Sequence, residues 1–138
     1  MKQARTSFVL FALAVLLHGA EAGEKVPDQV TRKLALRCHE LTGASEALFF
    51  PIHHPDNRAE GKLAKFILTQ QHEKVPIIIF GQNNPDYAAF VTQGAFSTFS
   101  PGTLKGTIVI CAVGVKYEKL LRQAVTSTGA ILYLEPPT

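Results

Sequence analysis

Apolar residues recur at helical spacing in four stretches of the chain. The stripes predict helices because residues three and four apart share one face of a helix. The first lies between Asp28 and Thr42, with Val30, Leu34, Cys38 and Leu41, and ends at Gly43; the second contains Ala59, Leu63, Phe66, Ile67 and Gln70; the third follows Asn84-Pro85, with Tyr87, Phe90 and Val91 as its inner face and Gly94 as its end; the fourth contains Tyr117, Leu120, Leu121 and Ala124.

Short continuous apolar runs separate these helices and predict strands. They cover residues 47–52, 75–80, 107–113 and 131–134. Runs of this kind are typical of strands buried on both faces of a parallel sheet. Pro51 lacks a backbone donor and makes the first run a strand with a weak end. We therefore expect one three-layer αβα domain of the α/β class, with a mostly parallel sheet of about four strands. A small extra strand near Phe96 and Phe99 is a further expectation.

The first 22 residues have the pattern of a secretory signal peptide. Lys2 and Arg5 precede a run of ten apolar residues at positions 8–17, and Ala20-Glu21-Ala22 fits a cleavage site. A membrane anchor is the alternative, but a spanning helix needs about 20 apolar residues. We expect residues 1–22 to be removed and residues 23–138 to form the domain, periplasmic or secreted and without a stable membrane span.

Composition narrows the function classes. The chain has 138 residues, of which 46% are hydrophobic and 18% charged, with a net charge of +3. These values exclude a disordered or strongly acidic chain. The basic residues are scattered, so we expect no nucleic-acid partner. A domain of this size can bury a sufficient core without help, so no cofactor is expected.

Polar residues follow the predicted strands, where ligands of open parallel sheets bind. Such ligands lie beyond the carboxyl ends of the strands, in the crevice where the strand order reverses. The candidate ligand-binding residues are Gln82, Asn83, Asn84 and Lys116. For Asn84, the alternative is an ordinary helix cap. The sequence contains no glycine-rich phosphate motif.

Two adjacent histidines follow the first predicted strand. His53 and His54, with Asp56, have side chains that suit general acid–base work or a metal ion. Adjacent side chains on an extended segment point in opposite directions, so a metal site is not expected. Asp56 and Asn57 have the alternative role of capping the second helix, with Glu60 three residues after Asn57.

Cys38 and Cys111 are the only cysteines, and the sequence leaves three roles open for them. A disulfide between them would join the first helix to the sheet, with a stabilisation of about 3 to 5 kcal/mol. The second role is two separate buried thiols that act as small hydrophobic side chains. The third is a reactive Cys111 that serves as a nucleophile or relays sulfur.

The segment between Gly94 and Gly106 is rich in Ser, Thr, Gly and Pro and is expected to be a mobile loop. Phe96 and Phe99 lie within it. If exposed, they would form a hydrophobic tip that docks on a partner protein or covers a pocket. The alternative is that both rings fold back onto the core.

These patterns favour an exported binding or interaction protein with a protein partner in the envelope. The alternative is a thiol- or histidine-dependent enzyme, or a sulfur-relay protein, with His53, His54 and Cys111 as candidate catalytic residues. A structural or inhibitory module of a larger assembly would differ from the first hypothesis only in its partner.

Overall fold

The predicted alternation of helices and strands is present in the computed structural model, which describes residues 28–52, 58–81 and 83–138. The helices are α1 (Asp28–Thr42), α2 (Ala59–Gln70), α3 (Pro85–Phe96) and α4 (Glu118–Thr126). The strands are β1 (Leu48–Pro51), β2 (Ile77–Phe80), β3 (Ile108–Ala112) and β4 (Ile131–Leu134). Short 3-10 turns at Gln71–Glu73 and Val115–Tyr117 follow α2 and β3. The single α/β domain is confirmed.

All four strands are parallel and lie in the order β1-β2-β3-β4. One row across the sheet joins Phe49 to Ile78, Ile78 to Ile110 and Ile110 to Tyr133. Each strand therefore lies beside the next strand in the sequence. Crossovers of one hand between such neighbours place their helices on a single face of the sheet.

The two faces of the sheet carry separate cores. Residues from α2, α3 and α4 pack with Ile77, Ile79 and other side chains on one face. Residues from α1 pack with Ile78 and other side chains on the opposite face. This division follows the alternation of side chains along a strand, which sends neighbouring residues to opposite faces. The result is a three-layer αβα domain with three helices on one side and one on the other.

The turn between β2 and α3 is tight because Gly81 has no side chain. A Cβ atom at this position would lie 2.6 Å from the Cβ atom of Ala88 and 2.8 Å from the carbonyl oxygen of Asn84. These distances are shorter than a carbon atom tolerates, and the atoms met are backbone or a methyl group that cannot rotate away. Gly81 therefore lets α3 begin directly against the end of β2.

The segment between Gly94 and Gly106 differs from the prediction. Helix α3 continues through Gly94 to Phe96, and the following residues form hydrogen-bonded turns instead of a strand. Leu104 is buried, and its backbone N–H donates to the carbonyl oxygen of Thr128 at 2.8 Å. Packing and hydrogen bonds to neighbouring elements thus override the tendency of this composition to form an irregular loop.

The residues after β4 turn across the carboxyl end of β3. The backbone N–H of Gly114 donates to the carbonyl oxygen of Glu135 at 2.9 Å. The Nε atom of Arg37 on α1 donates to the Glu135 carboxylate at 2.8 Å. A side chain at Gly114 would contact Pro137. Residues 135–138 therefore connect the carboxyl edge of the sheet to α1.

Candidate functional site

The strand order removes one premise of the predicted ligand site. Because the four strands of the described residues follow one another in sequence order, that order reverses nowhere among them. The crevice that opens at such a point in other parallel sheets therefore does not form between neighbouring strands here. Residues 135–138 also cover part of the carboxyl edge, beside Gly114.

The predicted ligand-binding residues have different surroundings. Asn84 caps α3, since its side-chain oxygen accepts a hydrogen bond from the backbone N–H of Tyr87 at 3.1 Å. This is the alternative role that the sequence suggested. Asn83 is exposed beside it, and Gln82 lies outside the described residues. Lys116 lies in the turn after β3, with its Nζ atom 3.8 Å from the carboxylate of Asp86.

An exposed apolar cluster lies at the carboxyl edge, between α3 and the turn after β3. Its apolar members are Phe90, Val115 and Tyr117. The Phe90 side chain is 55% exposed and that of Val115 is 77% exposed. The rings of Phe90 and Tyr117 meet edge to face, with centroids 6.0 Å apart. We refer to Phe90, Val115 and Tyr117, together with Asp86 and Lys116, as the carboxyl-edge cluster.

Polar contacts hold the rim of the carboxyl-edge cluster in place. The Tyr117 hydroxyl donates a hydrogen bond to the carboxylate of Asp86, and this bond raises the pKa of the phenol. The Nζ atom of Lys116 lies 5.5 Å from the centre of the Tyr117 ring, a cation–π distance. Asp86 therefore links α3 to the turn after β3 through both a hydrogen bond and an ion pair.

The position of Phe90 corrects the sequence prediction, which placed this residue on the inner face of the third helix. The buried residues of α3 are Ala88, Ala89, Val91, Thr92, Ala95 and Phe96. Phe90 lies about 100° around the helix from Val91, on the solvent side. Small residues at helical spacing, Ala88, Thr92 and Ala95, are the signal that would have identified the true inner face. Val115 carried no such signal, because its exposure depends on the turn after β3.

The two cysteines are free thiols, so no disulfide joins α1 to the sheet. Cys38 belongs to the core on the α1 face, and Cys111 to the core under the other three helices. The sheet itself therefore lies between them. Of the roles left open by the sequence, the structure has two separate buried thiols.

Burial also removes Cys111 as a candidate nucleophile. Its side chain is fully enclosed and lies 3.8 Å from the hydroxyl of Thr92. Burial raises the pKa of this thiol to about 12, since the thiolate would lose its hydration. A reactive cysteine must be accessible and must form the thiolate readily, and Cys111 meets neither requirement. Burial also raises the pKa of the Cys38 thiol.

Phe96 and Phe99 do not form an exposed tip. Phe96 is fully buried and Phe99 packs partly against the same core, with the ring centroids 6.2 Å apart. Both rings line a groove of about 380 Å³ between α3 and α4, together with Leu120 and Ala124. The expected exposed tip was wrong, because α3 continues past Gly94 and carries Phe96 into the core.

The two candidate histidines, His53 and His54, lie outside the described residues, as do Asp56 and Asn57. The helix that Asn57 was expected to cap begins at Ala59, where Arg58 is the preceding residue and makes no side-chain cap. Among the described residues, no group of three or more His, Cys, Asp or Glu side chains is arranged to hold a metal ion. Within the same part of the chain, no helix has the length and apolar character needed to cross a bilayer.

A second groove, which the sequence did not suggest, lies between α1 and residues 135–138. It has a volume of about 570 Å³. Its lining combines the exposed Leu36 with basic and acidic side chains: Arg32, Lys33, Arg37, Glu40 and Glu135. Arg37 is occupied by both carboxylates, since it also pairs with Glu40 at 3.2 Å. The three basic side chains of this groove outnumber the two carboxylates by one, and both carboxylates pair with Arg37.

Comparison with known proteins adds no family to this description. No protein-family model matches the chain, and neither does any curated protein or solved structure.

Proposed function

We propose that this protein is an exported, periplasmic or secreted binding protein whose partner is another protein of the envelope. We further propose that the carboxyl-edge cluster forms the contact. The observation that carries the proposal is the exposure of Phe90 and Val115 next to the half-buried Tyr117, whose ring meets that of Phe90. Export is supported by the signal-peptide pattern of residues 1–22.

The composition of the cluster resembles a small protein interface. Such interfaces have an apolar centre rich in aromatic side chains and a polar rim. Phe90, Val115 and Tyr117 supply the centre, and the ion pair between Asp86 and Lys116 supplies part of the rim. A few residues of this kind carry most of the binding energy in measured complexes. The partner surface expected here is apolar at its centre and bears polar groups around it.

An enzymatic function has less support. The thiol-dependent form of it would require Cys111, which is buried beneath α2, α3 and α4, and the histidine-dependent form rests on His53 and His54, which lie outside the described residues. A binding function needs no reactive group and uses the surface that the fold exposes.

The test compares capture of envelope proteins by the wild type and by the variants Phe90→Ser and Leu68→Ser. Leu68 is the matched control, because its side chain is 48% exposed and lies on α2, outside the carboxyl-edge cluster. A protein captured by the wild type is then purified and titrated with each form by calorimetry. We expect Phe90→Ser to weaken binding by roughly 30-fold, as for an interface residue worth about 2 kcal/mol, and Leu68→Ser to have no effect. Equal affinity of the wild type and Phe90→Ser would refute the proposal.

A further inference from the structure

Strand β4 forms one edge of the sheet, and its outer side is bonded to no described residue. Its residues are Ile131, Leu132, Tyr133 and Leu134, so the strand contains neither a charged residue nor a proline. Natural proteins commonly protect exposed edges with those residue types. The opposite edge, β1, does end in a proline, Pro51. The two edges of this sheet therefore differ in their capacity to accept another strand.

The backbone groups that face outward from β4 follow from its bonds to β3. The N–H of Ile131 donates to Thr107 at 2.8 Å and that of Glu135 donates to Cys111 at 3.0 Å. Backbone groups of alternate residues point to the same side of a strand. Leu132 and Leu134 therefore direct their N–H and C=O groups away from the sheet, into the open edge.

The neighbours in this outward row lack a free donor. The N–H of Ala130 already donates to the hydroxyl of Thr128 at 3.3 Å. Position 136 is a proline and has no N–H. The available donors of the row are thus Leu132 and Leu134, placed symmetrically on either side of Tyr133.

From this arrangement we infer that β4 pairs with β4 of a second copy of the chain, antiparallel and centred on Tyr133. A two-fold axis perpendicular to the sheet makes identical edge strands run antiparallel, and two-fold symmetry is the commonest symmetry of protein dimers. Leu132 then exchanges backbone hydrogen bonds with Leu134 of the second copy, and Leu134 does so with Leu132 of the second copy. A register shifted in one direction would need the N–H of Ala130, which is already bonded, and a register shifted in the other direction would need an N–H at Pro136, which has none.

The side chains of β4 favour a second copy as the occupant. Leu132 and Leu134 belong to the core beneath α4, whereas Tyr133 packs on the α1 face and Ile131 is 46% exposed. A partner strand must therefore be apolar on both faces and must bring a layer on each side of the sheet. Strand β4 of another copy meets both conditions, and its neutral residues cause no repulsion across the axis.

This inference is independent of the proposed function. Pairing through β4 makes the two sheets antiparallel, so the two carboxyl-edge clusters lie at opposite ends of the dimer. Each cluster remains free to contact its own partner.

The test introduces cysteines into the full-length chain at Tyr133→Cys and, as the matched control, at Ile131→Cys. Residues paired at position 133 have Cα atoms about 4.5 Å apart, within the range that a disulfide requires. The two copies of position 131 lie about 14 Å apart along the strands, beyond that range. Both natural thiols are buried and should not interfere. We expect mild oxidation to link Tyr133→Cys into a covalent dimer and to leave Ile131→Cys unlinked.

Sedimentation of the unmodified protein provides the second measurement. We expect a mass twice that of the chain, and a dissociation constant that rises by roughly tenfold or more in Tyr133→Lys, which places two like charges across the axis. A monomer at every concentration would overturn the inference, whether or not the cysteine variants fold. A dimer in which Tyr133→Cys does not link, or links no faster than Ile131→Cys, would assign dimerisation to another surface and would also overturn it.

Discussion

Individual residues in this protein acquire their chemical character from burial. Cys111 would be a candidate nucleophile by its position near the end of a strand, yet its side chain is enclosed by the core. Phe90 shows the opposite case, since an aromatic residue on a helix remains in solvent. Burial depends on how elements pack, so the residue type alone indicates neither outcome.

We predict that Cys111 does not react with a thiol reagent in the folded protein. Its alkylation at neutral pH should be more than about a hundredfold slower than in denaturant, because reaction requires opening of the structure. The rates can be followed by mass spectrometry of peptides containing the residue. Rapid alkylation of Cys111 while the protein stays folded would contradict the buried position.

The raised pKa of Cys111 also gives the sign of a pH effect. The folded protein retains the thiol proton up to about pH 12, whereas the unfolded chain releases it near the ordinary value of 9.0. The contribution to stability is therefore intact below pH 9.0 and is lost as the pH rises towards 12. Cys111→Ala should reduce the fall in unfolding free energy over this range, measured by denaturant titration.

At the scale of elements, tertiary packing decides where a helix ends as much as the local preference of its residues does. The sequence predicts that α3 ends at Gly94, but the helix continues to Phe96. Gly94 instead faces α2, where a Cβ atom would meet the carboxylate of Glu60. Because this carboxylate is the end of a flexible, exposed side chain, it can move aside, and the contact does not by itself require glycine at position 94.

Gly81 provides the sharpest test of such a close approach. Gly81→Ala should destabilise the protein by about 1 to 3 kcal/mol, because the added methyl group meets Ala88 and the backbone of Asn84. Gly61→Ala is the control, since nothing lies within 4 Å of a Cβ atom there. This change should stabilise α2 by about 0.5 kcal/mol. Thermal or denaturant unfolding measures both, and a neutral Gly81→Ala would show that the turn relaxes at little cost.

At the scale of the whole molecule, the sheet separates two cores that share strands but not side chains. Ile78 and Ile79 are adjacent in the chain and fully buried on opposite faces. By contrast, Phe50 and Phe66 lie in one core with ring centroids 5.2 Å apart. The face of the sheet on which a side chain lies thus determines its packing neighbours more than its position in the chain does.

Double-mutant cycles should detect this division. Ile78→Val and Ile79→Val should each cost about 1 kcal/mol of unfolding free energy, and their effects should add to within about 0.5 kcal/mol. The pair Phe50→Leu and Phe66→Leu should show a coupling energy of about 0.5 to 1.5 kcal/mol. Strong coupling between Ile78 and Ile79 would mean that the two faces respond as one core.

The sequence alone determined the class of fold and most of its elements. The helix between Asp28 and Thr42 and the strand Ile131–Leu134 lie where periodicity and apolar runs predicted them. The cap at Asn84 was also recognisable, since it depends on residues close in the chain. These features are local, and local spacing is visible in a sequence.

Only the tertiary structure decided the strand order, the faces on which the cysteines lie and the surface that remains open. The carboxyl-edge cluster joins Phe90 of α3 to Tyr117 beyond β3, two positions that meet because their strands are neighbours. The open edge of β4 exists because that strand is last in the sheet. Both depend on contacts between residues distant in the chain, which no local pattern records.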